Sequence, residues 1–597
     1  MARSKGWIIF FIVIGFFIFL GGLFFLGIRA VFEDTPIVKN DTVLTINTAG
    51  LITEHFSRDP IDRELEGANL QMYDIYHALE MAKLDQRIRG VYLWISNPKL
   101  GWAKAQAIRN ALNKFKAHGK FVTAFMESCD EKSYYIALAA DEIYLQPHSF
   151  AEFNGFASEI PFFKHTLHKL GMEAQVVNVG KYKSAGDIYN RDSMSPAHRE
   201  ETEVLLTDFY DEFVQTVCEK RGIERSQFEA ALNKGIYQSE EALKLKLVDE
   251  LIYESAVLDR IKEKIYGKEA MNSQDRALRT ISIGRYAKIP PEDVGLGKGH
   301  KIALIYLIGG IVPGEGGHDP LFGRNMGSQS VVRMLRTANN NRSIKAIVLR
   351  VDSPGGSGVA SDEIWAEIEK VRKKKPVVVS MSDVAASGGY WISMGCDAIV
   401  AQPLTITGSI GVVSALFDLS GTYDKLGIVW ETVKKGDHAD MLTDKRPLTE
   451  KEWETFKKLN DDFYKFFVQK VANGRGKTWE EVNNIAQGRV WTGLRAIQYG
   501  LVDSLGGLDA ALAIAKKKAG LDADAPTQWV VYPHPKGLFE SLLKRFSVRL
   551  AKPNNKEWAI IQNIPAELKS LLWQVAVMRR VRNGEIMAVT PYLPVIK

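Results

Sequence analysis

With 597 residues the chain is too long for one ordinary core, so two or more domains are expected. Hydrophobic residues at 46% and charged residues at 25% exclude a disordered or collagenous chain. The net charge of +6 is small for this length and its lysines and arginines are scattered, which gives no support to nucleic-acid binding. Cys129, Cys218 and Cys396 are too few and too separated for a disulfide framework or a zinc cluster, and no His-x-x-x-His spacing appears.

Trp7 to Ile28 is an uncharged apolar run of 22 residues, long enough to span a bilayer as a helix. It exceeds the core of a secretory signal, and Arg29-Ala30-Val31-Phe32 offers no cleavage site, so a retained anchor is expected. Arg3 and Lys5 before the run, against Arg29 after it, place the N-terminus in the cytoplasm and the body across the membrane. No later segment is long and apolar enough to cross again.

Past the anchor the chain repeats itself. Arg89–Pro98 matches Lys345–Pro354 at an offset of 256, and Asp141–Pro147 matches Asp397–Pro403 at the same offset. Leu170-Gly171 falls on Leu426-Gly427 and Gly180 on Gly436; further on the offset becomes 254, with Leu247-Val248-Asp249 over Leu501-Val502-Asp503. Short apolar runs such as Ala346–Leu349 and Val377–Met381 read as strands. Ser361–Val371, with Ile364, Ile368 and Val371 on one face, reads as a helix. Their alternation implies an α/β fold with parallel sheets. The expected organisation is a tip and anchor over 1–40, a first repeat over 41–260 and a linker over 261–300. A second repeat over 301–520 and an extension over 521–597 follow. Arg579, Arg580 and Arg582 in the extension read as a solvated charged face.

The mismatches between repeats carry the chemistry. Thr407-Gly408-Ser409-Ile410-Gly411 sets a serine between glycines after the strand-like Ala398–Ala401, whereas the first repeat has Phe153 at Ser409's place. Conversely, Val179–Gly186 holds Lys183 where the second repeat has Ala439. A serine attacks a carbonyl only when a base takes its proton, and a lysine serves once burial lowers its pKa. A dyad across the repeats is therefore expected, with Ser409 as nucleophile and Lys183 as base. Gly355 and Gly356, in a turn before a helix, are candidate oxyanion donors, replaced in the first repeat by Lys99 and Leu100. Ser387, beside Gly388 in Ala385–Trp391, is a competing nucleophile at a helix start. His438, near Asp437 and Asp440, is an alternative base, and Ser184 and Thr432 are candidates for the hydroxyl that orients Lys183.

The anchor, both repeats and the motifs Tyr182–Ala185, Asp352–Gly356, Ala386–Tyr390 and Thr407–Gly411 together resemble the signal peptide peptidases of serine protease family S49. The resemblance implies tandem Clp protease/crotonase-like domains and a dome-shaped homotetramer on the outer face of the inner membrane. It implies cleavage of released signal peptides and other apolar peptides, with no cofactor. It matches the nucleophile to Ser409 and the base to Lys183, and leaves Ser387 and Gly388 in support. Gly186-Asp187-Ile188-Tyr189 departs from the pattern by placing an acid near the base. A crotonase-type acyl-CoA enzyme and an inactive membrane scaffold are the alternatives.

Overall fold

The computed structural model describes Gly15 and residues 36–55, 68–268, 277–297, 299–319, 323–533, 587–589 and 595–596. The expected anchor over 7–28 lies outside them, Gly15 apart, and no helix of the described residues is long and apolar enough to cross a membrane.

Two sheets of the same plan form the body. The first runs Glu250–Leu251, Glu142–Leu145, Phe121–Met126, Ile88–Ile95, Thr42–Asn47, Arg279–Ser282, all neighbours parallel. The second sets Ser504–Leu505, Ala398–Ala401, Val377–Ala386, Ile344–Ser353, His300–Ile308 and Thr527–Tyr532 side by side in the corresponding order, again parallel. Parallel strands joined by helices are covered on both faces, which is why Ile302–Leu307 and Ala346–Val351 are buried without alternation.

Two expected boundaries shift. Arg279–Ser282, in the stretch read as a linker, is the edge strand of the first sheet beside Thr42–Thr45. Thr527–Tyr532, in the stretch read as an extension, fills the same place beside His300–Ile305. Each repeat thus closes on a strand whose partner lies far upstream in the chain, a pairing that local pattern does not reveal.

The long helix of each repeat, Pro196–Arg221 and Glu450–Arg475, ends at a glycine in the left-handed region, Gly222 and Gly476, and starts at a hydroxyl cap, Ser195 and Thr449. Buried ion pairs lock the repeats together. Arg350 reaches Glu54 through Nε and Nη2 at 2.9 and 2.8 Å, with both side chains about 1% exposed. Burial pushes the Glu54 carboxyl up, and the Arg350 charge and hydrogen bonds outweigh it, holding it well below the usual carboxylate range. Lys104 Nζ lies 2.6 Å from Asp352 and 2.5 Å from Asp383. Asp383 also accepts from the amides of Gly101 and Lys104, capping the helix Trp102–Lys116 from the other repeat. A Cβ on Gly101 would stand 2.2 Å from the Asp383 carboxyl carbon.

Removing one partner leaves a buried charge unpaired, so Glu54→Ala is expected to destabilise the chain by about 3–5 kcal/mol in urea unfolding. Glu54→Leu with Arg350→Met should recover most of that. Equal stability of Glu54→Ala and the parent would show that the pair does not couple the repeats.

Candidate active site

Strand Val377–Ala386 runs into Ser387, and the helix Gly388–Trp391 starts at once. Ser387 sits at φ 55°, ψ −114°, a conformation that costs a non-glycine residue of the order of 1–3 kcal/mol and concentrates at functional sites. A serine on a strained strand-to-helix turn is the arrangement that presents a hydroxyl at the end of an α/β sheet. The turn is held by Ser387 N donating to Gly408 O at 2.8 Å and Trp391 N donating to Ser387 O at 2.8 Å.

Lys183 arrives from the first repeat. It follows the strand Glu173–Val179, which pairs antiparallel with Val412–Asp418 of the second repeat. Tyr182 N donates to Gln487 O at 2.9 Å. Gly488 (φ 81°) leaves room for the lysine: a Cβ there would lie 2.5–2.6 Å from Lys183 Cβ, Cα and N, and one on Gly411 would lie 3.1 Å from Lys183 Cδ.

Lys183 Nζ ends 3.0 Å from Ser387 Oγ, 2.9 Å from Ser409 Oγ and 3.1 Å from Ser409 O, with all three residues buried. Burial pulls the lysine pKa down from its ordinary value to about 7, against a small upward pull from the Glu201 carboxylate. A neutral amine has two N–H groups and one lone pair. The Ser409 carbonyl can only accept, so it takes one N–H; the other N–H and the lone pair serve the two hydroxyls. Ser409 thus faces the amine with both its carbonyl and its hydroxyl, while Ser387 offers its hydroxyl alone.

The structure brings Ser387, Ser409 and Lys183 together and leaves the other lysine-orienting candidates out. Ser184 Oγ is buried without a hydrogen-bond partner and Thr432 is exposed. His438 is 54% exposed, with Nδ1 3.6 Å from Glu452. Asp187, the acid close to the base in sequence, accepts from Asn178 Nδ2 at 2.8 Å. The acid that acts on Lys183 is Glu201, which sequence reasoning missed because it lies a helix away. Burial pushes its carboxyl up to about 8, against the Val490 amide, Arg489 and Lys183, and the amide donates at 2.6 Å.

Gly355 and Gly356 differ in what their amides do. Gly355 N donates to Ser353 Oγ at 3.2 Å, which engages it. Gly356 N would lie 3.1 Å from a Cβ on Gly388, so its amide is close to the first turn of the Ser387 helix. Gly355–Ser357 also pairs antiparallel with Met587–Val589 of the chain's own C-terminal region, whose other neighbour is the strand Val412–Asp418. An extended peptide backbone therefore fits between these two strands, beside Ser387. Among the described residues, no group of His, Cys, Asp and Glu is placed to hold a metal.

The sequence model of Peptidase family S49 matches residues 114–266 and 369–522, once in each repeat. The chain is 32% identical over 567 residues to the chloroplastic serine protease SPPA of Arabidopsis thaliana, covering 94% of this chain and 81% of that one. It is 35% identical to Protease 4 of Salmonella typhi (80% of this chain, 78% of the relative) and 33% identical to a putative signal peptide peptidase SppA of Enterococcus faecium (42% and 74%). A solved chain of ClpP1 from Listeria monocytogenes aligns over 91% of its length with 34% of this chain, at 15% identity and a TM-score of 0.21. The chain belongs to peptidase family S49 and is a serine protease.

Proposed function

We propose that the chain is an endopeptidase for extended apolar peptides, cleaved signal peptides foremost, and that Ser387 rather than Ser409 is its nucleophile. The observation that carries the reading is Lys183 Nζ, buried and pulled down to about 7, between the two serine hydroxyls. Both serines sit at positive φ (55° and 50°), but only Ser387 has a helix start directly behind it, which favours that serine for attack. The double contact from Ser409 favours it as the group that holds the amine in line. This reverses the roles suggested by the Thr407–Gly411 motif.

In the proposed reaction a substrate strand lies where Met587–Val589 lies, between Gly355–Ser357 and Val412–Asp418. Lys183 takes the Ser387 proton as Oγ attacks the scissile carbonyl, and the amides of Gly356 and Gly388 receive the developing oxyanion. The protonated lysine gives its proton to the leaving amine. Lys183 then deprotonates a water that attacks the acyl carbonyl, and the lysine passes that proton to Ser387 Oγ as the ester bond breaks, which restores the free serine and the neutral amine. The S49 relatives named for signal peptide peptidase activity support the substrate class. The apolar run at 7–28 supports a single-pass inner-membrane anchor with the body periplasmic, and the resemblance supports a homotetramer. A buried lysine aimed at a serine counts against an inactive scaffold, because burying an amine without use only destabilises the fold.

Fluorophosphonate labelling and peptidase turnover test the assignment. Ser387→Ala and Lys183→Ala should abolish both, whereas Ser409→Ala should still label and lose about 10²-fold in rate through a misplaced amine. Labelling that survives Ser387→Ala and disappears with Ser409→Ala would restore the motif-based roles.

The base works only when neutral, so kcat/KM should rise through an acidic limb near pH 7 and level off above it. Burial pushes the Glu201 carboxyl up to about 8, so it is mostly protonated through that limb, and Glu201→Gln should leave the limb in place. A limb that moves to lower pH in that variant would show that Glu201 is ionised beside the amine.

A further inference from the structure

Tyr182, the residue before the base, is held from three sides. Its N–H donates to Gln487 O at 2.9 Å, its ring centre lies 4.5 Å from the Arg489 guanidinium carbon, and its hydroxyl donates to the Glu200 carboxylate at 3.1 Å. Arg489 Nη1 lies 3.0 Å from the same carboxylate, so ring, guanidinium and carboxylate close a triangle. Its corners come from three elements. Tyr182 belongs to the lysine loop, Glu200 to the helix Pro196–Arg221, and Arg489 to the second repeat, just before the strand Val490–Thr492.

Arg489 also holds the opposite side of the site. Its carbonyl accepts from Ser409 N at 2.7 Å, where Ser409 is kept at φ 50°. The Trp491 ring lies 4.6 Å from the same guanidinium, and Trp491 in turn fits against Gly408, where a Cβ would stand 2.9 Å from Trp491 Cδ1. One residue thus touches the loop of Lys183 with its side chain and the backbone of Ser409 with its main chain.

The contacts call for arginine in particular. Nε is buried without a hydrogen-bond partner, so the side chain carries the cost of an unpaired donor. Glu200 is about half exposed, and an ion pair to such a carboxylate gains little. What remains is a planar cation against two aromatic rings, which a lysine ammonium does not reproduce. The first repeat has no lysine to receive, since Ala439 stands at that place in the second. It carries Gly235 where Arg489 stands and Tyr237 where Trp491 stands. The register is secure, because Gly235–Gln238 pairs antiparallel with Phe150–Phe153 as Val490–Thr492 pairs with Ile406–Gly408.

We infer that Arg489 is a positioning residue for the base: stacked on Tyr182 and bonded to Ser409, it fixes Lys183 Nζ against the two serine hydroxyls. It touches no reacting atom itself. The inference rests on Lys183 as the base proposed above and holds with either serine as nucleophile.

In the full-length chain, Arg489→Ala should lower kcat by about tenfold or more with KM little changed, because a displaced amine slows proton transfer without unseating the peptide. A loosened loop lets water reach the amine, so the acidic limb of kcat/KM should move to higher pH. The charged and titratable groups around that amine are Glu201 on the long helix and, through the triangle, Glu200, Lys181 and Arg489 itself. Loss of the Arg489 charge alone would push the limb the same way. Arg489→Lys separates the two causes, since it keeps the charge and loses the plane; it should show the same fall in kcat and the same shift. It also decides the matter if Arg489→Ala does not fold. Guanidinium chloride, well below denaturing concentrations, should occupy the vacated place in Arg489→Ala and restore both kcat and the limb, whereas ammonium chloride should restore neither. Parent-like kcat and limb in either variant, or a loss that guanidinium leaves unrestored, would overturn the inference. Fluorophosphonate labelling that survives Lys183→Ala would instead strike the base itself, so the two failures are read in different variants.

Discussion

The structure depends on one buried amine. Lys183 sits where a charge would be costly and where Glu201 is the carboxyl that pulls its pKa upward, with its own pKa pushed above the ordinary carboxylate value by the same burial. The amine is therefore about half neutral near pH 7 and mostly neutral above it, and a neutral amine is a base. That state survives only if water is kept out. The lysine is walled by Gly411 and Gly488, which leave no space for a side chain, and by a loop pinned through Tyr182 to Gln487. All of these walls except the lysine's own loop come from the second repeat.

It follows that the base is created by the contact between repeats and belongs to neither of them. Separating them would rehydrate Lys183 and return it to an ordinary ammonium. The ion pairs Glu54–Arg350 and Lys104–Asp352/Asp383, together with Asp208 held by Arg495 and Thr492, stabilise that contact from several sides. Such pairs gain little over well-packed apolar residues, but each fixes one orientation, because any other leaves charges buried and unpaired. The precision that a proton transfer between Ser387 and Lys183 requires is of that kind.

The sequence made the duplication, the α/β class and the lysine–serine division legible, because each is written in residue identity at a fixed offset. It did not distinguish Ser387 from Ser409. Both stand beside glycine after an apolar strand and at positive φ, and what separates them is the helix that starts behind Ser387 and the number of contacts each makes to one nitrogen. Gly355 looked equal to Gly356 for the same reason, until Ser353 Oγ was found on its amide. Glu201 left no local signal, since a carboxylate on a helix is ordinary until the fold buries it. The closing strands Arg279–Ser282 and Thr527–Tyr532 were hidden by distance along the chain.

The first repeat indicates how a duplicated site loses one role and keeps another. At the place of Ser387 it carries Glu131, at Gly388 Lys132 and at Ser409 Phe153, so nucleophile, helix-start glycine and lysine clamp are all gone. Glu131 is buried and its carboxyl is pushed up to about 7, while Gly155 N donates to it at 2.8 Å. Phe153 packs edge-on against Tyr134 and Phe228. The old cleft end has become core, which frees the first repeat from keeping a reactive hydroxyl and lets it hold the loop that carries Lys183. The second repeat made the opposite exchange: with Ala439 in the lysine's place, its counterpart loop is left on the surface with its apolar residues exposed. One junction per chain was kept for chemistry.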